Sequence, residues 1–112
     1  MILTKNTPFT RDEIHRLQEE FEVYIKTVID IEKKICSAGM NRHFEGETIL
    51  LQQGSRQSAL GGGGIDIETK EIDYNSFINI RPSDNNPRNE ILSETIRNQY
   101  KELTEYFFKE IL

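Results

Sequence analysis

YIKTVIDIEKKICSAG, residues 24–39, can be read in two ways, and the choice decides the fold. Ile14, Leu17, Phe21, Tyr24, Val28, Ile31 and Ile35 follow a seven-residue repeat. A single helix could therefore run on to Gly39, a natural residue just past a helix end. Yet YIKTVIDI, residues 24–31, places five β-branched residues in eight. Side chains branched at Cβ fit a pleated strand better than a helix. On the strand reading, residues 32–34 turn the chain and it returns as a second short strand.

The flanking segments are plainer. Thr10 with Glu13 three residues on forms a capping box, so a helix opens at TRDE, and Ile14, Leu17 and Phe21 make its inward face. HFEGETILLQQGS, residues 43–55, reads as a short helix stopped near Gly54, with Gly46 costing it about 1 kcal/mol relative to Ala. GIDIETKEIDYNSFINI, residues 64–80, alternates like a hairpin. Ile72, Tyr74, Ile78 and Ile80 share one face of its return strand, and Asp73, Asn75, Phe77, Asn79 and Arg81 share the other. Pro82 and Pro87 make the next segment a loop. Ser93 caps a final helix whose inward stripe is Ile96, Tyr100, Leu103 and Phe107.

VIDIEKKICSAG (28–39), His43, ILLQQGSRQ (49–57) and INIRPSDN (78–85) together resemble a family of short uncharacterised prokaryotic proteins, a domain of unknown function. The resemblance rests on Asp30, Glu32, Lys33, His43, Gly54, Ser55, Gln57, Leu60, Asn79, Arg81 and Pro82. This chain departs from the family's pattern at Gly61, where the family has Trp, at Gly64, where it has Asn, and at Lys34, where it has Gly. Any site built on that Trp or Asn is altered here. The family's Gly in the 32–34 region suits a strand end and not a helix interior. The expected fold is therefore α+β, in the order α-β-β-α-β-β-α, with a four-stranded antiparallel sheet packed against helices.

Composition narrows the class. The chain has 112 residues, 36% hydrophobic and 29% charged, and reads as a single soluble domain spanning 1–112. A net charge of −5 argues against direct nucleic-acid binding and leaves room for a basic protein partner. No apolar run approaches the roughly 18 residues of a membrane span. No export signal is recognised and Cys36 is the one cysteine, so the expected location is cytoplasmic. No cofactor or metal is expected, because the second histidine, His15, belongs to a helix surface and gives no multi-histidine site.

SALGGGG, residues 58–64, lacks the helix start and the Lys of a phosphate loop, and is expected to be a flexible lead-in to the third strand. Asp30 and Glu32, two apart on a strand, could bind a cation or act as acid and base, or could be polar residues beside a turn. His43 could be a general base or a loop residue bonded to backbone. Arg81, at a strand end beside Ser83, could clamp an anion or bridge Asp30 or Glu32 internally. Ser55 and Gln57 either cap the second helix or line a pocket with Arg81. The surplus of Tyr106, Phe108 and Leu112 on the last helix points to a homodimer or another protein partner. The leading functional expectation is a non-catalytic binding or interaction module. The rival is a small hydrolase-like enzyme with a polar site around Asp30, Glu32, His43 and Arg81.

Overall fold

The computed structural model describes residues 1–112. Along the chain run β1 (Leu3–Lys5), α1 (Arg11–Glu20), β2 (Tyr24–Asp30), β3 (Ile35–Ala38), α2 (His43–Gln52), β4 (Leu60–Asp66), β5 (Ile72–Asp73) and α3 (Glu94–Phe107), with short 3-10 turns at Gln57–Ala59, Phe77–Asn79, Pro82–Asp84 and Lys109–Ile111. The β-branched run is sheet. Val28 faces Ser37 and Asp30 faces Ile35 across an antiparallel β2–β3 pair. Lys34 sits in the turn between them with φ at 58°, the left-handed region that favours glycine.

The sheet has five antiparallel strands in the order β1-β3-β2-β4-β5 rather than the expected four. The addition is Leu3–Lys5, which lies along the outer edge of β3. Three residues are too few to show a period. The expected return strand shrinks to Ile72–Asp73, paired with Ile65 and Gly64. Beyond Asp73 the chain leaves the sheet, so Ile78 and Ile80 do not continue a strand face.

The largest correction concerns the tetraglycine. Gly61–Gly64 form the middle of β4 and pair with Ile29, Val28, Thr27 and Lys26 of β2. All are buried. A Cβ on Gly63 would come 2.2 Å from the Asp73 carbonyl and 2.7 Å from the Tyr100 hydroxyl. On Gly62 it would lie 2.7 Å from the Cβ of Ser76, and on Gly64 2.4 Å from the Tyr24 hydroxyl. The glycines are there because neighbouring groups lie directly on the strand, which is the opposite of a flexible connection.

Alternation along β2 and β4 divides the core in two. Ile25, Ile29 and Ile65 pack with Ile14 and Leu17 of α1, and with Tyr100 and Phe107 of α3. On the other side Val28 and Leu60 pack with Leu50 of α2 and with Met40. Gly46 lets α2 sit close, since a Cβ there would be 2.4 Å from the Met40 methyl. The α1 capping box forms as expected, with the Glu13 amide donating to Thr10 Oγ1 at 3.1 Å and the Thr10 amide donating to Glu13 Oε1 at 2.8 Å. Ser93 caps α3. Phe108 is fully buried against Phe9, with ring centroids 5.3 Å apart, so it is part of the core and not surplus. Ile96, expected inside, is more than a third exposed.

Gly63→Ala should lower the unfolding free energy by about 1–3 kcal/mol, because rigid backbone blocks the new methyl. Gly61→Ala meets the end of Ile91 and the edge of the buried Tyr100 ring, both at 3.2 Å rather than 2.2 Å, and should cost clearly less than Gly63→Ala, about 1 kcal/mol or below. Urea denaturation of the two variants separates a packed glycine strand from a loose one, which would respond equally to both changes.

Candidate functional site

The seven residues singled out from sequence do not converge. Asp30 closes β2, and its Oδ1 accepts the amides of Glu32 and Lys33 at 2.9 and 2.8 Å. Its Oδ2 accepts the Ser55 hydroxyl at 2.6 Å. The carboxylate is buried and occupied in tying the β2–β3 turn to the end of α2. Glu32 is in that turn, not on a strand face shared with Asp30, and it takes a bidentate ion pair from Arg56, Nη2 to Oε2 at 2.8 Å and Nε to Oε1 at 3.1 Å. Gln57 and Ser83 are exposed in separate 3-10 turns. Only Asp30 and Ser55 among the seven are bonded side chain to side chain, and Glu32 meets Asp30 through its backbone amide alone.

Arg81 is structural in a way the sequence did not suggest. It bridges neither Asp30 nor Glu32. One terminal nitrogen donates to the Ile78 carbonyl at 2.9 Å, the other to the Leu60 carbonyl at 2.8 Å, and Nε lies 3.2 Å from Asp84 without hydrogen-bond alignment. Asn79, fully buried, works beside it. Its carboxamide accepts the Gly62 amide at 2.8 Å and donates to the Gly62 carbonyl at 2.9 Å. The two side chains thus continue the β4 edge where β5 has stopped.

His43, first residue of α2, reaches the sheet. Its Nε2 lies 2.7 Å from the Gly63 carbonyl. A carbonyl only accepts, so Nε2 carries the proton. Burial lowers the His43 pKa below its ordinary 6.5; the Gly63 bond opposes it, and smaller effects follow from Lys26, downward, and Asp73, upward. The imidazole is therefore neutral near pH 7, with Nδ1 as its remaining acceptor.

The cleft around His43 holds about 360 Å³ and is lined by Lys26, Asn41, Arg42, Phe44, Ser76, Phe77 and Ile78 as well. Lys26 alternates onto the α2 side of β2 and lies 5.6 Å from the Tyr24 ring centroid. Phe44 is 55% exposed and Phe77 81%, the most exposed large apolar side chain in the protein. Arg42 precedes the helix and makes no side-chain cap, while Glu45 Oε1 reaches back to accept the Arg42 amide at 2.8 Å. Lys26, Arg42, Phe44 and Phe77 were not anticipated from sequence. Signals for two of them existed: a lysine within the β-branched run 24–31, and a phenylalanine on the face otherwise made of Asp73, Asn75, Asn79 and Arg81.

Two other depressions are larger. One of about 560 Å³ lies between α3 and the β2–β3 turn, with Lys34 and Glu102 of opposite sign and none of the seven residues. One of about 480 Å³ contains Arg81, whose guanidinium is committed to backbone. No group of three or more His, Cys, Asp or Glu side chains is brought together. Cys36 is buried in β3, and burial pushes its thiol pKa up, away from the reactive thiolate.

Fold and site together define a small α+β domain, helices on both faces of an antiparallel sheet, whose strand edge is completed by side chains and whose polar residues mostly serve its own backbone. The chain belongs to the family described as "Protein of unknown function (DUF5674)", whose model matches residues 2–107. This is the membership expected from the runs around Asp30, Ser55 and Arg81. No curated protein and no solved structure matches the chain. No helix is long and apolar enough to cross a membrane.

The His43 environment has a pH consequence. Above about pH 6.5 the imidazole is neutral folded and unfolded, and contributes no pH dependence. Below it the unfolded chain takes up a proton that folded His43 resists, so stability falls as pH drops. Urea midpoints at about pH 7.5 and 5.5 should fall further for the native chain than for His43→Gln. An equal fall in both would mean that His43 titrates freely.

Proposed function

We propose that the protein is a non-catalytic binding module whose contact face is the cleft between the start of α2 and the Phe77 turn. One observation carries this: the residues able to do chemistry are tied into internal bonds, while two phenyl rings stand exposed at a cleft that Lys26 and Arg42 also line. An enzyme site needs an acid, a base or a nucleophile free to converge on a substrate. Asp30 and Arg81 are held by groups of the fold itself, and His43 is bonded to the sheet. Large aromatic side chains are left in water where a partner covers them more often than by accident.

The hydrolase reading around Asp30, Glu32, His43 and Arg81 has less support, because the four groups bond to different partners. Self-association through the end of α3 keeps Tyr106 and Leu112 as its support, 41% and 54% exposed, but not Phe108. The cleft reading is therefore preferred to a homodimer as the main role.

Neutral aromatic fragments such as indole and benzamide should shift backbone amide resonances at Phe44, Gly63 and Phe77 and nowhere else to a comparable extent. Phe44→Ser with Phe77→Ser should abolish those shifts while the rest of the spectrum stays in place. Simple carboxylic and phosphoric esters should not be turned over. Turnover that disappears in His43→Gln would return the hydrolase instead.

A further inference from the structure

The cleft's lining narrows its occupant, on the reading that it is the contact face. Lys26 and Arg42 line it and no Asp or Glu does, in a chain with 19 acidic residues against 14 basic ones. Asp73, the acid whose field reaches His43, has its Oδ2 engaged by the Tyr24 hydroxyl at 2.5 Å. Two cations thus line a cleft of an acidic protein and neither side chain is ion-paired; the nearby carboxylates are Asp73, bonded to Tyr24, and Glu45, whose Oε1 accepts the Arg42 backbone amide at 2.8 Å. Lys26 is half-buried, so its charge is less screened than that of a fully solvated lysine.

The apolar part has its own selectivity. Phe44 and Phe77 come from α2 and from the turn after β5, and a phenyl face favours a planar partner over an aliphatic one. His43, holding its proton on Nε2, offers Nδ1 as an acceptor with no bond to the protein. A volume of about 360 Å³ lies at the small end of ligand pockets, which run from about 300 to 1,000 Å³. It suits one ring system with one charged group and does not suit a folded partner.

We infer that this cleft binds a small anion built on a planar ring. The phosphate or carboxylate is held by Lys26 and Arg42, the ring lies against Phe44 and Phe77, and an N–H on the ring donates to His43 Nδ1. Two sources share that chemistry, a nucleoside monophosphate and an aryl carboxylate. Binding a free mononucleotide needs only these two cations, whereas a nucleic-acid chain needs a basic track that an acidic surface does not supply.

The test is a set of amide-shift titrations of the intact protein with adenosine monophosphate, adenosine, indole-3-acetate, indole and inorganic phosphate. One of the two ring-bearing anions should shift Phe44, Gly63 and Phe77 and bind at least tenfold more tightly than its uncharged ring and than phosphate alone. The tighter of the two identifies the source. Phe77→Ala and Lys26→Met should each weaken it at least tenfold, with the remaining resonances unmoved as the check on folding. Uncharged rings that bind equally well overturn this inference and leave the contact face standing. Phosphate that binds as tightly as the ring-bearing anions overturns it too. Silence from every probe at these amides overturns both readings.

Discussion

A strand without side chains is the constraint on which the rest of this structure depends. Gly61–Gly64 run between β2 and the short β5, and both surfaces of their backbone are occupied. From one side come the Tyr100 ring and the Asp73 carbonyl, and from the other Ser76, Ile78 and the Tyr24 hydroxyl. Such close approach lets small groups fill space that side chains of β4 would otherwise take, and it lets the buried Tyr100 hydroxyl reach Thr27 Oγ1 at 2.6 Å. The entropy lost in ordering four glycines is offset by this packing, not by any freedom retained in the folded state.

The same strand explains the INIRP segment. β5 is two residues long, so β4 would present unpaired amide and carbonyl groups beyond Gly64. Asn79 meets both groups of Gly62 with one carboxamide, and Arg81 meets the Leu60 carbonyl two residues further on. The spacing of the two side chains matches the spacing of outward-facing groups along a strand. Asn86 then ties the loop that carries them, donating to the carbonyls of Asn79, Arg88 and Glu90 and accepting the Leu92 amide. A polar-rich segment that looks like a ligand loop is spent on completing a sheet.

Much of the α+β class was legible because it rests on local signals. The β-branched run at 24–31, the Thr10 capping box and the Ser93 cap each declare their own structure. What was hidden depended on distant partners. Leu3–Lys5 is a strand only because β3 lies beside it, and the glycines are a strand only because β2 and Tyr100 enclose them. Asp30 and Glu32 could not be told apart from an acid pair, since Ser55 and Arg56 meet them from more than 20 residues away. Surplus aromatics misled at Phe108 because its partner, Phe9, precedes the first helix.

The cleft follows from the glycines as well. His43 reaches the backbone of β4 at the Gly63 carbonyl, and Gly46 lets α2 come close to Met40 and Val28 beneath it. Once the imidazole is fixed on the Gly63 carbonyl, its remaining nitrogen and the first turn of α2 are held beside Lys26. Phe77 is carried there by the turn that Asn79 anchors to Gly62. The backbone positions of Lys26, His43 and Phe77 are therefore tied to β4, by strand pairing, by the imidazole and by the Asn79 carboxamide in turn. Backbone fixed in this way has little freedom left to lose on occupation, so the cost of ordering falls on the exposed side chains alone.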